Sequence, residues 1–319
     1  MLISVALDPG FGNTKVSLEG RSAIVQSAVV RPRDVGLAAV GMKSAVAATQ
    51  VQFDGFHFSV GTGAWAWGEP RGGMDFSFLS SPERKALMYA ALSTLSMPGE
   101  VHIGTLVIGL PVPLLQDQVQ AEAVLNGLKT FKGQHDFQVD KKAYRVSIEK
   151  IKVLAQPAGA YFDWLLDSQL HPRRVASQAE VAVLDIGMNT ADLYVILGGV
   201  VQPRFVGGGK VGVRRLLQIM MNDGHDLEEL DARLRSHKLR PSQEALEGWL
   251  SEILAVIERT WPSLRRFTTV IPTGGGALVL GEILQTALAS KGAAIHWPGD
   301  PICSNVLGLW KWGCYVSNR

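Results

Sequence analysis

Short apolar blocks separated by glycine-bearing polar turns organise this chain. Residues 2–7 form an apolar run interrupted only by Ser4, which predicts a buried strand. Pro9-Gly10 turns it, and residues 14–18 predict the returning strand of a hairpin. From Gly20 to about Met97 the pattern is broken. Within it, residues 51–60 alternate around Asp54-Gly55, which predicts two strands joined by a tight turn. Residues 61–73 carry Gly, Trp and Arg with no period and read as loop. Ser81-Pro82-Glu83 has the form of a helix start, and that helix is expected to run to about Leu95. Buried strands are predicted at 105–110, at 151–154, at 181–184 with a return through 193–197, and at 269–271. Residues 137–148 alternate like a hairpin. Helices are predicted over 116–129, 157–166, 213–221 and 278–289, with helical tendency in the polar stretch 227–254. Gly207, Gly208 and Gly209 read as a glycine loop. Strands alternating with helices indicate α/β layers.

The chain has 319 residues, which favours two domains or one large divided domain. Apolar residues make up 47% and charged residues 19%, so core-forming material is ample and a largely disordered chain is excluded. Lys and Arg number 31 against 29 Asp and Glu, a net charge of +2 with no polycation signature for nucleic acid or an acidic membrane. Cys303 and Cys314 are too few for a disulfide framework and lack the spacing of a zinc or redox pair. The start has no signal-peptide form, and the most apolar run, 193–201, is far short of a membrane span of roughly 20 residues. The expectation is a soluble, cytoplasmic protein.

One design occurs twice. Val5-Ala6-Leu7-Asp8-Pro9-Gly10-Phe11-Gly12-Asn13-Thr14-Lys15 and Ala182-Val183-Leu184-Asp185-Ile186-Gly187-Met188-Asn189-Thr190-Ala191-Asp192 each run from an apolar strand through Asp-x-Gly and an Asn-Thr turn into a second strand. Such a repeat implies two similar halves. The glycines let backbone approach a ligand, and successive N–H groups in such a turn form a nest for phosphate oxygens. An Asp at the strand end can hold Mg²⁺, usually through water. Lys15 adds a point charge for a phosphate. Either turn alone is as readily an ordinary Asp-Gly hairpin; the pair together is not. A third element, Gly274-Gly275-Gly276-Ala277, offers bare backbone before a helix, where a ring or ribose could lie and an anion would be favoured. By itself it equally fits a tight strand-to-helix turn.

Asp8-x-Gly10 with Lys15, Asp185-x-Gly187 with Asp192, and Gly274-Gly275-Gly276-Ala277 together resemble the two phosphate motifs and the adenosine motif of the actin, heat-shock chaperone and sugar-kinase superfamily. Residues 8–16, Gly109-Leu110-Pro111 and the ending Asn305-Val306 with Gly308-Leu309-Trp310-Lys311 resemble, more narrowly, the bacterial plasmid-segregation actins of the ParM/StbA type. The resemblance implies a two-domain actin-like α/β fold, a duplicated ribonuclease H-like core with a nucleotide cleft between the domains. It places residues 1–156 plus 299–319 in domain I and 157–298 in domain II. It implies ATP or ADP as the nucleotide, with GTP as the alternative, and Mg²⁺ held by Asp8 and Asp185. Gly10, Gly12, Asn13, Thr14 and Lys15 would bind phosphates from one side, and Gly187, Asn189 and Thr190 from the other. Gly208 and Lys210 would flank the nucleotide, though a flexible connector explains that segment equally well. Gln156 matches the connecting motif, where a Gln or Glu orients the attacking water; a carboxamide can position water without strong basicity. Asp8, Asp185 and Gln156 are thus the catalytic candidates.

Two positions depart from the resemblance. Met188 stands where many relatives have a second Gly, so the second turn is expected to approach the terminal phosphate less closely. Gln156 stands where several plasmid actins have Glu. The implied function is a filament-forming ATPase that segregates or positions plasmid or other DNA through a DNA-binding adaptor, its partners being further copies of itself, with no direct nucleic-acid or membrane contact. A small-molecule kinase of the same fold, or a non-polymerising ATP-binding scaffold, is the alternative. Too few residues follow the third motif for a chaperone substrate domain. Trp65, Trp67, Trp310 and Trp312 read as local packing or as interface anchors. Arg233, Arg235, His237, Lys238 and Arg240 read as a solvated basic run.

Overall fold

The computed structural model describes residues 3–31, 48–67, 76–95, 100–174, 178–221 and 226–317. Contacts divide the chain into two units. One comprises Met1–Leu110, Leu114–Leu154 and Gly313–Arg319; the other Pro111–Pro113 and Ala155–Trp312.

In the first unit the order is β1 (Ile3–Pro9), β2 (Asn13–Leu18), β3 (Arg21–Gln26), β4 (Val29–Val30), β5 (Thr49–Phe53), β6 (Phe56–Val60), α1 (Pro82–Thr94) and β7 (Glu100–Leu110). After β7 come α2 (Val112–Gln116), which starts on the second unit's short segment, α3 (Gln118–Leu128), β8 (Gly133–Val139) and β9 (Lys142–Ala155). Among the described residues these strands make one nine-stranded sheet, ordered β3-β2-β1-β7-β9-β8-β5-β6-β4. β1 is antiparallel to β2 and parallel to β7. β1 from Ser4 and β7 from Ile103 are buried on both faces, which is why these stretches are mostly apolar rather than alternating. The β5–β6 hairpin turns through Asp54 and Gly55, both at positive φ, as its sequence predicts. Ser81 caps α1 by accepting from the Arg84 N–H, with Pro82 in the first turn. Residues 62–67 form a 3₁₀ turn; the rest of the expected 61–73 loop lies outside the described residues.

The second unit holds α4 (Gln156–Leu165), β10 (Glu180–Ile186), β11 (Ala191–Leu197), β12 (Val200–Val201), β13 (Gly207–Gly209), α5 (Val213–Met220), α6 (Leu227–Arg235) and α7 (Gln243–Thr260). β14 (Thr269–Thr273), α8 (Gly275–Leu280), α9 (Glu282–Ser290) and α10 (Ser304–Ser317) complete the chain, the last turn of α10 falling in the first unit. Its sheet is ordered β12-β11-β10-β14, with β13 also on β11. β10 is antiparallel to β11 and parallel to β14, the same local plan as β1, β2 and β7. Trp249 and Trp261 fill the core on one face of this sheet, and Tyr161 and Trp164 of α4 cover the other.

The structure revises several expectations. The strands expected at 137–148 and 151–154 are β8 and a single long β9, because residues 142–155 alternate without a break. The helix expected over 116–129 is α3, which starts after its cap Asp117, and the short α2 precedes it unforeseen. Residues 227–254 hold two helices, α6 and α7, each with its own acidic or hydroxyl cap. The helix expected over 278–289 begins earlier and breaks at Gly281, which has φ 50°. Gly207–Gly209 is a strand, not a loop, paired to Ala191–Leu193. The segment 299–319, read with the first domain, divides at 312/313: Gly159 and Gly308 let the backbones of α4 and α10 touch within the second unit.

Candidate functional site

The first Asp-x-Gly turn joins β1 to β2. Asp8 is 1% exposed and lies opposite Lys15 across the hairpin, and the Lys15 ammonium donates to Asp8 Oδ2 at 2.7 Å. Lys15 is therefore an ion-pair partner of Asp8, although an ammonium has three donors and is not exhausted by one. The Gly10 N–H closes the turn on the Asp8 carbonyl at 2.9 Å. A Cβ on Gly10 would stand 2.8 Å from the Asn13 carbonyl oxygen, so the turn requires glycine there for space.

The turn's carbonyls are held from behind. The Gly10 carbonyl accepts from Ser27 Oγ at 2.7 Å and from Arg84 Nη1 at 3.1 Å, and the Gly12 carbonyl accepts from the Ser27 N–H at 3.0 Å. A trans peptide is planar, with its C=O and N–H pointing in opposite directions. Pinning the carbonyls of Gly10 and Gly12 therefore turns the N–H groups of Phe11 and Asn13 away from Ser27 and Arg84, on the side where a nest would receive an anion. The Thr14 hydroxyl belongs to the same cluster, 3.0 Å from Ser27 Oγ and 3.1 Å from Arg84 Nη1. Sequence reading missed both Ser27 and Arg84. Ser27 follows a hairpin strand, and Arg84 is one charge in a helix; no motif marks either.

The second turn joins β10 to β11 and uses a different device. The carbonyls of Gly187 and Met188 accept from the N–H groups of Val213 and Arg214 at 3.0 and 2.8 Å, and that of Asn189 from Gly212 at 3.3 Å. The start of α5 thus occupies one side of the turn's backbone, so that its N–H groups face the other. Gly212 makes this possible: a Cβ there would lie 2.6 to 2.7 Å from backbone atoms of Gly187, Met188 and Asn189. The Met188 side chain packs against the second unit's core, so the residue in place of glycine does not project from the turn's anion-facing side.

Asp185 is 8% exposed, and Asn305 of α10 donates to its Oδ2 at 2.8 Å. Asp192 lies directly opposite Asp185, at the register position Lys15 holds opposite Asp8. The first turn pairs its acid with a base, the second with another acid. Asp192 is buried, its carboxyl bonded by Thr190 and the Val112 backbone, and its Oδ1 has no hydrogen-bond partner among the described residues. Burial, then the charge of Asp185, pushes the Asp192 carboxyl up to about 7. An acidic pair with an orphaned oxygen fits a nearby cation. Among the described residues no three His, Cys, Asp or Glu side chains gather as a metal cage. The donor chemistry suits Mg²⁺, which is commonly held by one or two carboxylates with waters and phosphates.

Gly274, Gly275 and Gly276 divide by role. Gly274 has φ 87°, and a Cβ on it would meet the Ile186 carbonyl and come 2.7 Å from Asp185 Oδ1; one on Gly276 would strike the Ile186 side chain. These two, with fully buried Ala277, pack the start of α8 against the second turn. Gly275 alone has open space around its Cβ position and partial exposure, and so is the residue that backbone contact with a ligand would use. Gly208 sits opposite Asp192 on β13, and Lys210 next to it is exposed. Trp249 and Trp261 hold this segment by donating to the carbonyls of Val211 and Phe205 at 2.8 and 2.9 Å. Gln156 is the first residue of α4 and is 9% exposed. The structure thus groups Asp8, Gly10, Gly12, Asn13, Thr14 and Lys15 in one unit. Gln156, Asp185, Gly187, Asn189, Thr190, Gly208, Lys210, Gly274, Gly275, Gly276 and Ala277 lie in the other.

Of the other features, Trp312 packs on Phe162 with ring centroids 6.0 Å apart, and Trp65 and Trp310 are half-buried. Arg235 bonds Asp231 at 2.7 Å and Arg233 lies 3.9 Å from Glu229, while His237, Lys238 and Arg240 are exposed. Among the described residues no helix is long and apolar enough to cross a membrane.

A family model described as the N-terminal domain of actin-like proteins matches residues 6–159. No curated protein matches the chain in sequence. Solved structures match it end to end. The actin-like protein Alp7A has a TM-score of 0.76 at 15% identity, covering 100% of this chain and 97% of its own. An archaeal actin homologue in complex with ADP has a TM-score of 0.72 at 19% identity, covering 100% of both chains. A ParM from a 15-stranded filament of Clostridium botulinum has a TM-score of 0.70 at 19% identity, covering 98% and 99%. The chain has the actin-like fold, and its residues 6–159 match the model of the actin-like N-terminal domain.

Proposed function

We propose that this chain, actin-like in fold and in its N-terminal family match, is a nucleotide-dependent, filament-forming ATPase that segregates or positions DNA through an adaptor protein. The observation that carries the reading is the doubled device: two Asp-x-Gly turns at equivalent places in two sheets, each with its carbonyls pinned from behind so that N–H groups face the other way. Successive N–H groups turned to one side in this way suit phosphate oxygens. The names of the fold neighbours, among them an ADP complex and two filament structures, support the same reading by analogy.

In this reading the N–H groups and polar side chains of both turns bind the phosphates. Gly275, with Gly208 and Lys210, lies along the nucleoside. Asp8 and Asp185 would hold Mg²⁺ through water, and the bound ion supplies charge neutralisation at the phosphate oxygens. Gln156 positions the attacking water as a hydrogen-bonding group rather than as a strong base. The protein works in the cytoplasm, its homopolymer is the working form, and DNA is reached through the adaptor, since the net charge of +2 gives no electrostatic footprint for it.

The direct test is calorimetric titration of ATP with Mg²⁺ into wild type, Asp8→Ala and Asp185→Ala, with turnover measured alongside. Each substitution should lower Mg²⁺-dependent turnover by about tenfold or more, because each removes metal-site charge. Full activity in either variant refutes the paired-turn reading.

A further inference from the structure

We propose that Arg84 is a positioning residue for phosphate binding: through the Gly10 carbonyl and the Thr14 hydroxyl it sets the orientation of the first Asp-x-Gly turn and backs it with a buried positive charge. This inference rests on the nucleotide-binding reading of that turn.

Arg84 sits in the first turns of α1, with no exposed surface. A guanidinium buried this deeply ordinarily faces a carboxylate. None of the described residues forms an ion pair with Arg84. Asp8, the acid whose charge it feels, is bonded to Lys15 at 2.7 Å, and its neighbour Glu83 lies 3.7 Å from Arg31. One nitrogen, Nη1, makes all its hydrogen bonds: 3.1 Å to the Gly10 carbonyl, 3.1 Å to Thr14 Oγ1 and 3.5 Å to Ser27 Oγ. Among the described residues Nε and Nη2 have no hydrogen-bond partner. The plane rests on Phe78, with Cζ 4.6 Å from the ring centroid. Burial pulls the guanidinium down to about 9, with Asp8 opposing.

A cation kept at this desolvation cost, without a counter-ion, does not serve stability; an apolar side chain of the same length would serve it better. Its two shorter bonds end on the first Asp-x-Gly segment, and the third, at 3.5 Å, ends on Ser27, which bonds the same segment. They hold the Gly10–Phe11 peptide with its carbonyl inward and its N–H outward, and they place uncompensated charge behind the N–H side. An anion on that side supplies the missing counter-charge. The first N–H groups of α5 stand at the equivalent place behind the second turn. Arg84 is thus the side-chain counterpart of a helix N-terminus, on a turn whose own lysine is committed to Asp8.

The test compares wild type with Arg84→Met, Arg84→Lys and Ser27→Ala. For each, calorimetry gives affinity for MgATP and for adenosine, and urea unfolding without ligand gives stability. Arg84→Met should lose about tenfold or more in ATP affinity, the value of a lost charge-assisted hydrogen bond. Its adenosine affinity should stay within about twofold of wild type, and its stability should be unchanged or higher. Arg84→Lys should recover part of the loss, and Ser27→Ala, which removes a neutral hydrogen bond to the same carbonyl, should lose less. Equal losses for ATP and adenosine, or unchanged ATP affinity in a folded Arg84→Met protein, overturn the inference. If Arg84→Met does not fold, Ser27→Ala decides: selective loss of ATP over adenosine supports the inference, and wild-type binding of both overturns it. A wild type that binds no ATP overturns the nucleotide reading itself, whatever the variants do.

Discussion

Replacing Gly212 with alanine should dislodge the second Asp-x-Gly turn without any backbone strain of its own. Gly212 has φ −70° and ψ −171°, which alanine adopts freely, so only space is at issue. The added Cβ would lie 2.6 Å from the Met188 oxygen, 2.6 Å from the Asn189 carbonyl carbon and 2.7 Å from the Gly187 oxygen. All three are backbone atoms of the turn, and none can rotate aside. Restoring ordinary contact distances moves the turn and α5 apart by about 1 Å. The bonds at 3.0, 2.8 and 3.3 Å from Val213, Arg214 and Gly212 then lengthen past useful range together. At about 1 kcal/mol net for each, the cost is roughly 2–3 kcal/mol of stability. The freed carbonyls also let the turn rotate its N–H groups, so ATP affinity should fall by more than stability explains. Gly248→Ala is the control. It lies in α7 with nothing within 4 Å of its Cβ position, and alanine there should stabilise by about 0.5–1 kcal/mol. Urea unfolding and calorimetric ATP titration of both variants measure the contrast. A Gly212→Ala protein within about 0.5 kcal/mol of wild type and with normal ATP affinity would refute the reasoning.

Gln156→Ala should leave ATP affinity near normal while hydrolysis falls by about 10²-fold, a positioning loss; equal losses in both would make Gln156 structural. His135 should make the fold acid-sensitive. Its Nε2 donates to the Phe131 carbonyl and its Nδ1 accepts from the Tyr89 hydroxyl, each at 2.9 Å, and burial holds its folded pKa below the ordinary value. Because the unfolded chain then binds the proton more readily, the stability His135 contributes is full above about pH 6.5 and is lost as pH falls below it; Asp192, raised to about 7, adds the opposite slope below that value, in the variant as in wild type. Urea unfolding between pH 5 and 8 should show the acid-side loss flattened in His135→Asn. His296, also held low by burial, keeps part of it, and an unchanged slope removes His135 from the account.

How much was legible depended on whether a residue's partner was local. The Asp54-Gly55 turn and the Ser81-Pro82 helix start depend on neighbours within four residues, and both appear as read. The two Asp-x-Gly turns were legible because one chemistry recurs in one order, and recurrence is visible without contacts. Arg84, Ser27 and Gly212 were not, and Asn305 was marked only by the resemblance, without its role. Each acts on a turn far away in the chain, at sequence distances of 74, 17 and 120 residues for Arg84, Ser27 and Asn305. Gly207–Gly209 read as loop because glycine is poor strand material. It pairs because β11 offers an open edge and two tryptophans fix the flanking carbonyls. The three glycines at 274–276 were read alike, yet two are bare for packing against Ile186 and one is open. Composition does not separate those roles; the neighbouring strand does. The register that sets Asp192 opposite Asp185 follows from the hairpin, but its consequence needed burial, which a sequence does not give.

The central claim is that nucleotide state controls self-assembly. A γ-phosphate held by the pinned turns favours the conformation in which it is bound, and a ligand shifts such an equilibrium only by its differential affinity for the two states. High-speed sedimentation at tens of micromolar protein, with ATP, a non-hydrolysable analogue, ADP or no nucleotide, followed by electron microscopy of the pellets, tests this most directly. The account predicts filaments in the pellet with ATP and with the analogue, and little with ADP or without nucleotide. A protein that stays in the supernatant under all four conditions, while transferring phosphate from ATP to a small molecule, would contradict it.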